Sequence, residues 1–296
     1  MRYIPAKTII TRNKCPEMWF GYDYNMNIYK GCCHGCIYCD SRSECYGVEN
    51  FDEVRAKENA LGIINKELKS KRNSGVIGTG AMSDPYNPYE KELLLTRKAL
   101  ELIDANGFGI GIATKSDLVT RDIDVLRSIN EHSSICIKIT ITTYDDTLAK
   151  IIEPGAASSS ARFNAIAELS KNNLFCGILL MPLLPFINDT EENISNIVKA
   201  AAEAGAKFIY PWFGVTLRQN QRIYFYKQLD RYFPGIKSRY QAVYGERYEC
   251  RVQNAECLYQ VFSDLCTKYG VLYRMPDIIS AYRKKVKHKQ ISLFDI

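Results

Sequence analysis

From residue 24 onward the chain alternates short runs of β-branched and apolar residues with longer stretches of helical period, the mark of parallel β/α units. Strand-like runs fall at residues 24–30, 75–80, 108–114, 134–142, 174–181 and 207–213. The period-two alternation is clearest at 134–142. Helical stretches lie between them: 51–69, with Val54, Leu61, Ile64 and Leu68 on one face; 90–105, stopped by Asn106 and Gly107; 120–129, with Thr120 as N-cap; 158–171; and 190–204, its turn and cap built by Asn188 and Asp189. Six units result. With right-handed crossovers they form either an open doubly wound sheet or a barrel, and periodicity does not separate the two. Either way the working loops belong at the carboxyl ends of the strands.

Outside this pattern, residues 1–23 read as an irregular, basic N-terminal extension. Residues 24–215 hold the repeating units, and 216–282 are helical and tyrosine-rich, expected to pack on or extend the barrel. No Gly, Pro or Ser-rich linker divides these parts. Residues 283–296, RKKVKHKQISLFDI, read as a basic tail.

Candidate chemistry concentrates just after the first predicted strand, where residues 27–40 read NIYKGCCHGCIYCD. Soft thiolates at this density point to zinc or an iron–sulfur cluster. A zinc ribbon needs a second CxxC pair, and Cys15, Cys45, Cys136, Cys176, Cys250, Cys257 and Cys266 supply none. A ferredoxin run needs a fourth cysteine followed by proline, but Ser43 and Glu44 stand there. What remains is three thiolates, Cys32, Cys36 and Cys39 in CxxxCxxC spacing, holding three irons of a 4Fe-4S cluster and leaving the fourth open. Cys33 offers a competing CxxCxxC register. His34 reads as a hydrogen-bond partner that shapes the loop. Cys250, Cys257 and Cys266 are spaced too widely for a second cluster and read as core.

The stretch resembles the radical S-adenosylmethionine (SAM) superfamily. The successive words NIYKGCCHGCIYC, GTGAMSDPYNPYE, TKSDLVTRDIDVL, EPGA and LLMPLLPFINDT resemble the spore photoproduct lyase-like family, often labelled DNA repair photolyase. The resemblance implies a partial (β/α)6 barrel of the TIM type, a 4Fe-4S cluster on Cys32, Cys36 and Cys39, and SAM on the open iron. It implies further SAM contacts: Tyr38 near the adenine, Gly80, Ser83 and Asp84 in the loop after the second strand, and Lys115 at the carboxylate. Thr140 and Thr142 are candidates for the ribose or carboxylate, and Glu153 and Arg162 pair with each other or with SAM. Spore photoproduct lyase aligns a hydrogen-donating cysteine where Met82 stands here. A thioether has no S–H hydrogen to give, so either another donor such as Tyr86 or a different reaction is expected.

With 11 cysteines, no secretory leader and no long apolar span, the expected setting is a reducing cytoplasm, away from membranes. The net charge of +6 suits a polyanion without demanding one. The tail word Gln290, Ile291, Ser292, Leu293, Phe294 resembles peptides that dock repair proteins on the sliding clamp. The resulting expectation is a radical SAM enzyme acting on a nucleic-acid base in DNA, with a flavodoxin or ferredoxin as electron donor. The alternatives are the same chemistry on RNA, a peptide or a small molecule, and a non-catalytic, clamp-docked or nucleic-acid-binding iron–sulfur protein.

Overall fold

A computed structural model describes residues 1–284; the clamp-like word at Gln290–Phe294 lies outside them. In chain order the elements begin with β1 (Arg2–Ile4), β2 (Ile10–Arg12), β3 (Tyr24–Met26), β4 (Tyr29–Lys30), β5 (Arg55–Lys57), α1 (Ala60–Ser70), β6 (Val76–Thr79), α2 (Glu90–Leu93) and α3 (Leu95–Ala105). Then come β7 (Gly109–Thr114), α4 (Ile123–His132), β8 (Ile135–Thr140), α5 (Asp146–Ile152), α6 (Ser159–Lys171), β9 (Cys176–Leu180), α7 (Glu191–Glu203) and β10 (Phe208–Pro211). The last are β11 (Gly214–Thr216), α8 (Gln219–Tyr232), α9 (Ile236–Tyr244), β12 (Glu249–Arg251), α10 (Ala255–Tyr269) and α11 (Met275–Tyr282).

The main sheet runs β10-β9-β8-β7-β6-β3-β2. Six of its strands, β3 and β6 to β10, are parallel, as the six predicted units require, and β2 adds an antiparallel edge on β3. This is the partial TIM-type barrel. Its strands β8 and β9 are buried on both faces, as expected where helices cover one side and barrel filling the other. The outer edge of β10 is covered by residues after α10: Ile209 N–H donates to the Leu272 carbonyl at 2.8 Å, and Leu272 N–H to that of Lys207 at 3.0 Å.

Several local expectations change. The predicted strand at 24–30 is two strands, because the chain leaves the barrel after Met26. β4 then pairs antiparallel with β5, which also takes β1, in a separate three-stranded sheet. The helix expected from residue 51 starts at Ala60, since Arg55–Lys57 is recruited as β5, and Asn59 enters the helix in the left-handed region (φ 49°). The helix at 90–105 breaks at Leu94, also left-handed. Thr120 does not cap a helix; it sits in a 3-10 turn (Asp117–Asp122) capped by Ser116, whose hydroxyl accepts from Leu118 N–H. Thr190, rather than Asn188 or Asp189, caps α7. The Asn188 amide instead cross-links, accepting from Leu184 N–H at 2.6 Å and donating to the Thr142 carbonyl at 2.7 Å.

The N-terminal extension is ordered. After β2, the turn Trp19–Gly21 places Phe20 and Tyr22, both buried, in a cluster with Cys136, Leu179, Phe208, Ile278 and Tyr282. The Tyr282 hydroxyl donates to the Phe20 carbonyl, so α11 and the N-terminal segment meet against the sheet. A second cluster packs the cysteine loop residues Cys36, Ile37 and Tyr38 against Ile152 and, from α8 and α9, Phe225, Leu229 and Tyr240.

Candidate active site

The cysteine loop is tied to its neighbours by backbone. Cys32 N–H donates to the Phe51 carbonyl at 2.9 Å, Ile37 N–H to that of Ile152 at 2.9 Å, and Gly155 N–H of the EPGA word to that of His34 at 2.7 Å. From α8, the Gln221 amide donates to the Tyr38 carbonyl at 3.1 Å. Held this way, Cys32, Cys36 and Cys39 line one cleft. Cys33 does not line it and packs against the main core. The cleft's other walls are the loop after β6 (Gly80 to Asp84), the end of β7 (Thr114, Lys115), Lys138 and Thr140 on β8, Leu179 and Met181, and Trp19 and Tyr22 from the N-terminal segment.

Three thiols presented by one short loop suit a cubane, whose irons take them at separate corners. A single ion would need its donors to converge on one point, and among the described residues no three His, Cys, Asp or Glu groups do so. Burial pushes the Cys32 thiol up to about 12 and raises Cys36 and Cys39, where the Lys115 ammonium opposes it. Loading a cluster must therefore release protons here.

Asp84 ties three loops together. Its carboxylate accepts from Thr114 Oγ1 at 2.6 Å, Lys115 N–H at 2.7 Å and Tyr86 N–H at 2.9 Å, and faces His34 Nδ1 at 3.4 Å. His34 is buried, which lowers its pKa despite Asp84. The Ser83 hydroxyl donates to the Tyr29 carbonyl at 2.9 Å. Both side chains lie on the cleft wall with these bonds already made. Gly80 adopts φ +93°, and a Cβ there would fall 1.9 Å from the Ala113 carbonyl oxygen, so only glycine lets this loop press against β7.

Tyr38, Glu153 and Arg162 form a buried polar chain. The Arg162 guanidinium pairs with Glu153 at 2.5 Å and donates to the carbonyls of Thr140 and Ala157, each at 2.8 Å; the Tyr38 hydroxyl donates to the other Glu153 oxygen. Burial would raise the Glu153 carboxyl, but Arg162, Lys115 and Tyr38 together hold it below its ordinary value. Glu153 and Arg162 thus pair with each other. Neither they nor Tyr38 and Thr142 line the cleft, whereas Gly80, Ser83, Asp84, Lys115 and Thr140 do. The Lys115 ammonium stands 5.7 Å from the Tyr38 ring. Burial disfavours its charge, yet Cys36, Glu153 and Cys39 raise its pKa above the ordinary value.

Tyr86 does not face the cleft as a hydrogen donor would have to. Its ring is 1% exposed and lies 5.9 Å from the Arg121 guanidinium, close to Asp122 and Glu90, outside the cleft. Met82 does line it. Cys250 and Cys266 are buried in separate clusters and Cys257 is exposed, so these three do not assemble. Sequence reasoning missed Trp19, Tyr22 and Lys138. Only Lys138 left a trace in the sequence: in ICIKIT it shares inward parity with Cys136 and Thr140, where a charge is out of place.

The chain matches the Radical SAM superfamily over residues 26–201. An uncharacterised protein of Methanocaldococcus jannaschii is 36% identical over 191 residues, 64% of this chain and 69% of that protein. The radical SAM Nα-GlyT isomerase of Pseudomonas phage M6 is 24% identical over 189 residues, 61% of this chain and 38% of its own length. Spore photoproduct lyase complexed with dinucleoside spore photoproduct superposes with a TM-score of 0.66 over 90% of this chain and 79% of that one, at 14% identity. No helix among the described residues is long and apolar enough to cross a membrane. A superfamily match across more than half its length, on a fold shared with spore photoproduct lyase, means that this chain belongs to the radical SAM superfamily, whose enzymes work with a 4Fe-4S cluster and SAM.

Proposed function

We propose that this chain is a radical SAM enzyme acting on a nucleic-acid base, in DNA repair or modification. The observation that carries the enzyme class is the common cleft: three thiols, the Gly80 loop and the Lys115 ammonium meet at the carboxyl ends of parallel strands. Cys32, Cys36 and Cys39 would hold the cluster. When bound, the cluster and SAM supply an electron and a 5′-deoxyadenosyl group that leaves as a radical. Lys115 would take the SAM carboxylate through a charge-assisted bond, with Thr140 beside it and the Gly80 backbone against the cofactor. Asp84, Ser83 and the Tyr38–Glu153–Arg162 relay position these loops, and α8 and α9 cover the cysteine loop against water.

The nucleic-acid part rests on the lyase that shares this fold being seen with a dinucleoside photoproduct, and on the net charge of +6. Cytoplasmic residence, a flavodoxin or ferredoxin as electron donor, and clamp docking through Gln290–Phe294 belong to the same reading. With Met82 in the cleft, hydrogen return cannot use a thiol at that position.

Anaerobic reconstitution with iron and sulfide, followed by SAM and dithionite, tests the reading, with 5′-deoxyadenosine measured with and without ultraviolet-irradiated DNA. The expected result is cleavage by the wild type, none by Cys36→Ala, and a changed base in the DNA. No cleavage under any condition would favour a non-catalytic iron–sulfur protein. Cleavage that never alters DNA would point to RNA, a peptide or a small molecule.

A further inference from the structure

Lys138 projects from β8 into the cleft, two residues and so roughly 6–7 Å below Thr140. It is 1% exposed, and its one hydrogen-bond partner among the described residues is the Tyr22 hydroxyl. No carboxylate pairs with it there, and Asp84, which lines the same cleft, is engaged by Thr114, Lys115 and Tyr86. Its ammonium lies 4.8 Å from the Phe20 ring and 4.4 Å from that of Tyr22, contacts that partly offset desolvation but bring no counter-charge.

The surroundings are built for this arrangement. Cβ atoms at Gly78 and Gly111 would fall 2.4 and 2.2 Å from the Tyr22 ring, so β6 and β7 lack side chains where that ring lies across them. Leu179 and Met181 belong to the same apolar cluster as Phe20 and Tyr22, and with Trp19 and Met82 they give the cleft apolar and aromatic surface beside its polar residues Asn25, Thr79 and Thr140. A buried cation without an anion is costly, and a ligand that brings the anion removes the cost.

We propose that Lys138 is the floor of the substrate subsite and takes one anionic oxygen group, carboxylate or phosphate, carried on an apolar or unsaturated ligand body. This rests on reading the cleft as the SAM and substrate site. Lys115 at the rim serves the SAM carboxylate and Lys138 at depth serves the substrate, so two cations at two levels sort two anions.

The test is calorimetric titration of the reconstituted, SAM-loaded protein with benzoate, phenyl phosphate and uncharged benzamide, on wild type, Lys138→Met and Lys138→Arg. At least one of the two anions should bind wild type and K138R and bind K138M at least tenfold more weakly, with benzamide unaffected; the tighter anion names the group. The proposal is overturned if neither anion binds the SAM-loaded wild type, if K138M binds both as wild type does, or if K138M loses benzamide as well. None of these arms requires turnover. A protein that passes them yet never cleaves SAM would sink the enzymatic reading while leaving the subsite standing.

Discussion

Lys138 shows how a single residue sets a measurable property. Burial lowers its ammonium to about 8, with Cys136 opposing. The unfolded lysine keeps its proton to about 10.4, so the unfolded chain binds more protons between those values and stability rises with pH across that window. Below about pH 8 the full cost of the buried charge is present. Replacing Lys138 with methionine, which keeps most of the chain length, should therefore stabilise the protein by on the order of 3 kcal/mol at pH 7. The gain should fade toward pH 10. Urea midpoints for both proteins from pH 6 to 10 check this, and parallel pH profiles would show that the lysine carries no such cost. The charge was visible in ICIKIT. Its lack of a carboxylate was not, because that depends on what the other five parallel strands and the N-terminal segment bring near it.

At the level of elements, the Glu153–Arg162 pair joins the turn after α5 to α6 and, through Tyr38 and the Thr140 carbonyl, to the cysteine loop and β8. Removing one partner of a buried ion pair leaves the other charge stranded. Arg162→Met should thus cost about 3–5 kcal/mol. Glu153→Gln should cost less, since the guanidinium keeps the carbonyls of Thr140 and Ala157. Denaturant unfolding of the two variants separates these cases, and equal losses would contradict the account. The sequence offered two readings of the pair, with each other or with SAM, and only burial decided between them. The parallel strands were legible because their apolar runs are local. β5 was not, since its partners β1 and β4 lie far from it along the chain, and a three-residue strand has too little period of its own to compete with a helical pattern.

Across the whole molecule, the segment just before β3 and the last helix, α11, meet on the sheet. Phe20 is fully buried against Phe208, with centroids 5.6 Å apart, and is bonded through its carbonyl to Tyr282. Phe20→Ala should cost about 3–5 kcal/mol, seen as a lowered guanidinium midpoint. An unchanged midpoint would mean that residues 1–23 are an appendage, as their irregular sequence suggests. The segment also carries Trp19 and Tyr22 into the cleft, so fold stability and site shape depend on the same few residues.

The sequence by itself determined what short-range chemistry can encode: the thiol spacing of one loop and six apolar runs long enough to be strands. Tertiary structure decided which polar groups are already satisfied, which face the cleft, and which cation is left without a counter-ion. Tyr38, Thr142, Arg162 and Tyr86 read as cleft residues by their place in the chain, yet they lie behind its wall. Lys138 and Tyr22 are 116 positions apart and meet only because β3, β6, β7 and β8 lie side by side. Desolvation and pairing depend on neighbours in space, and such neighbours leave no mark in a local pattern.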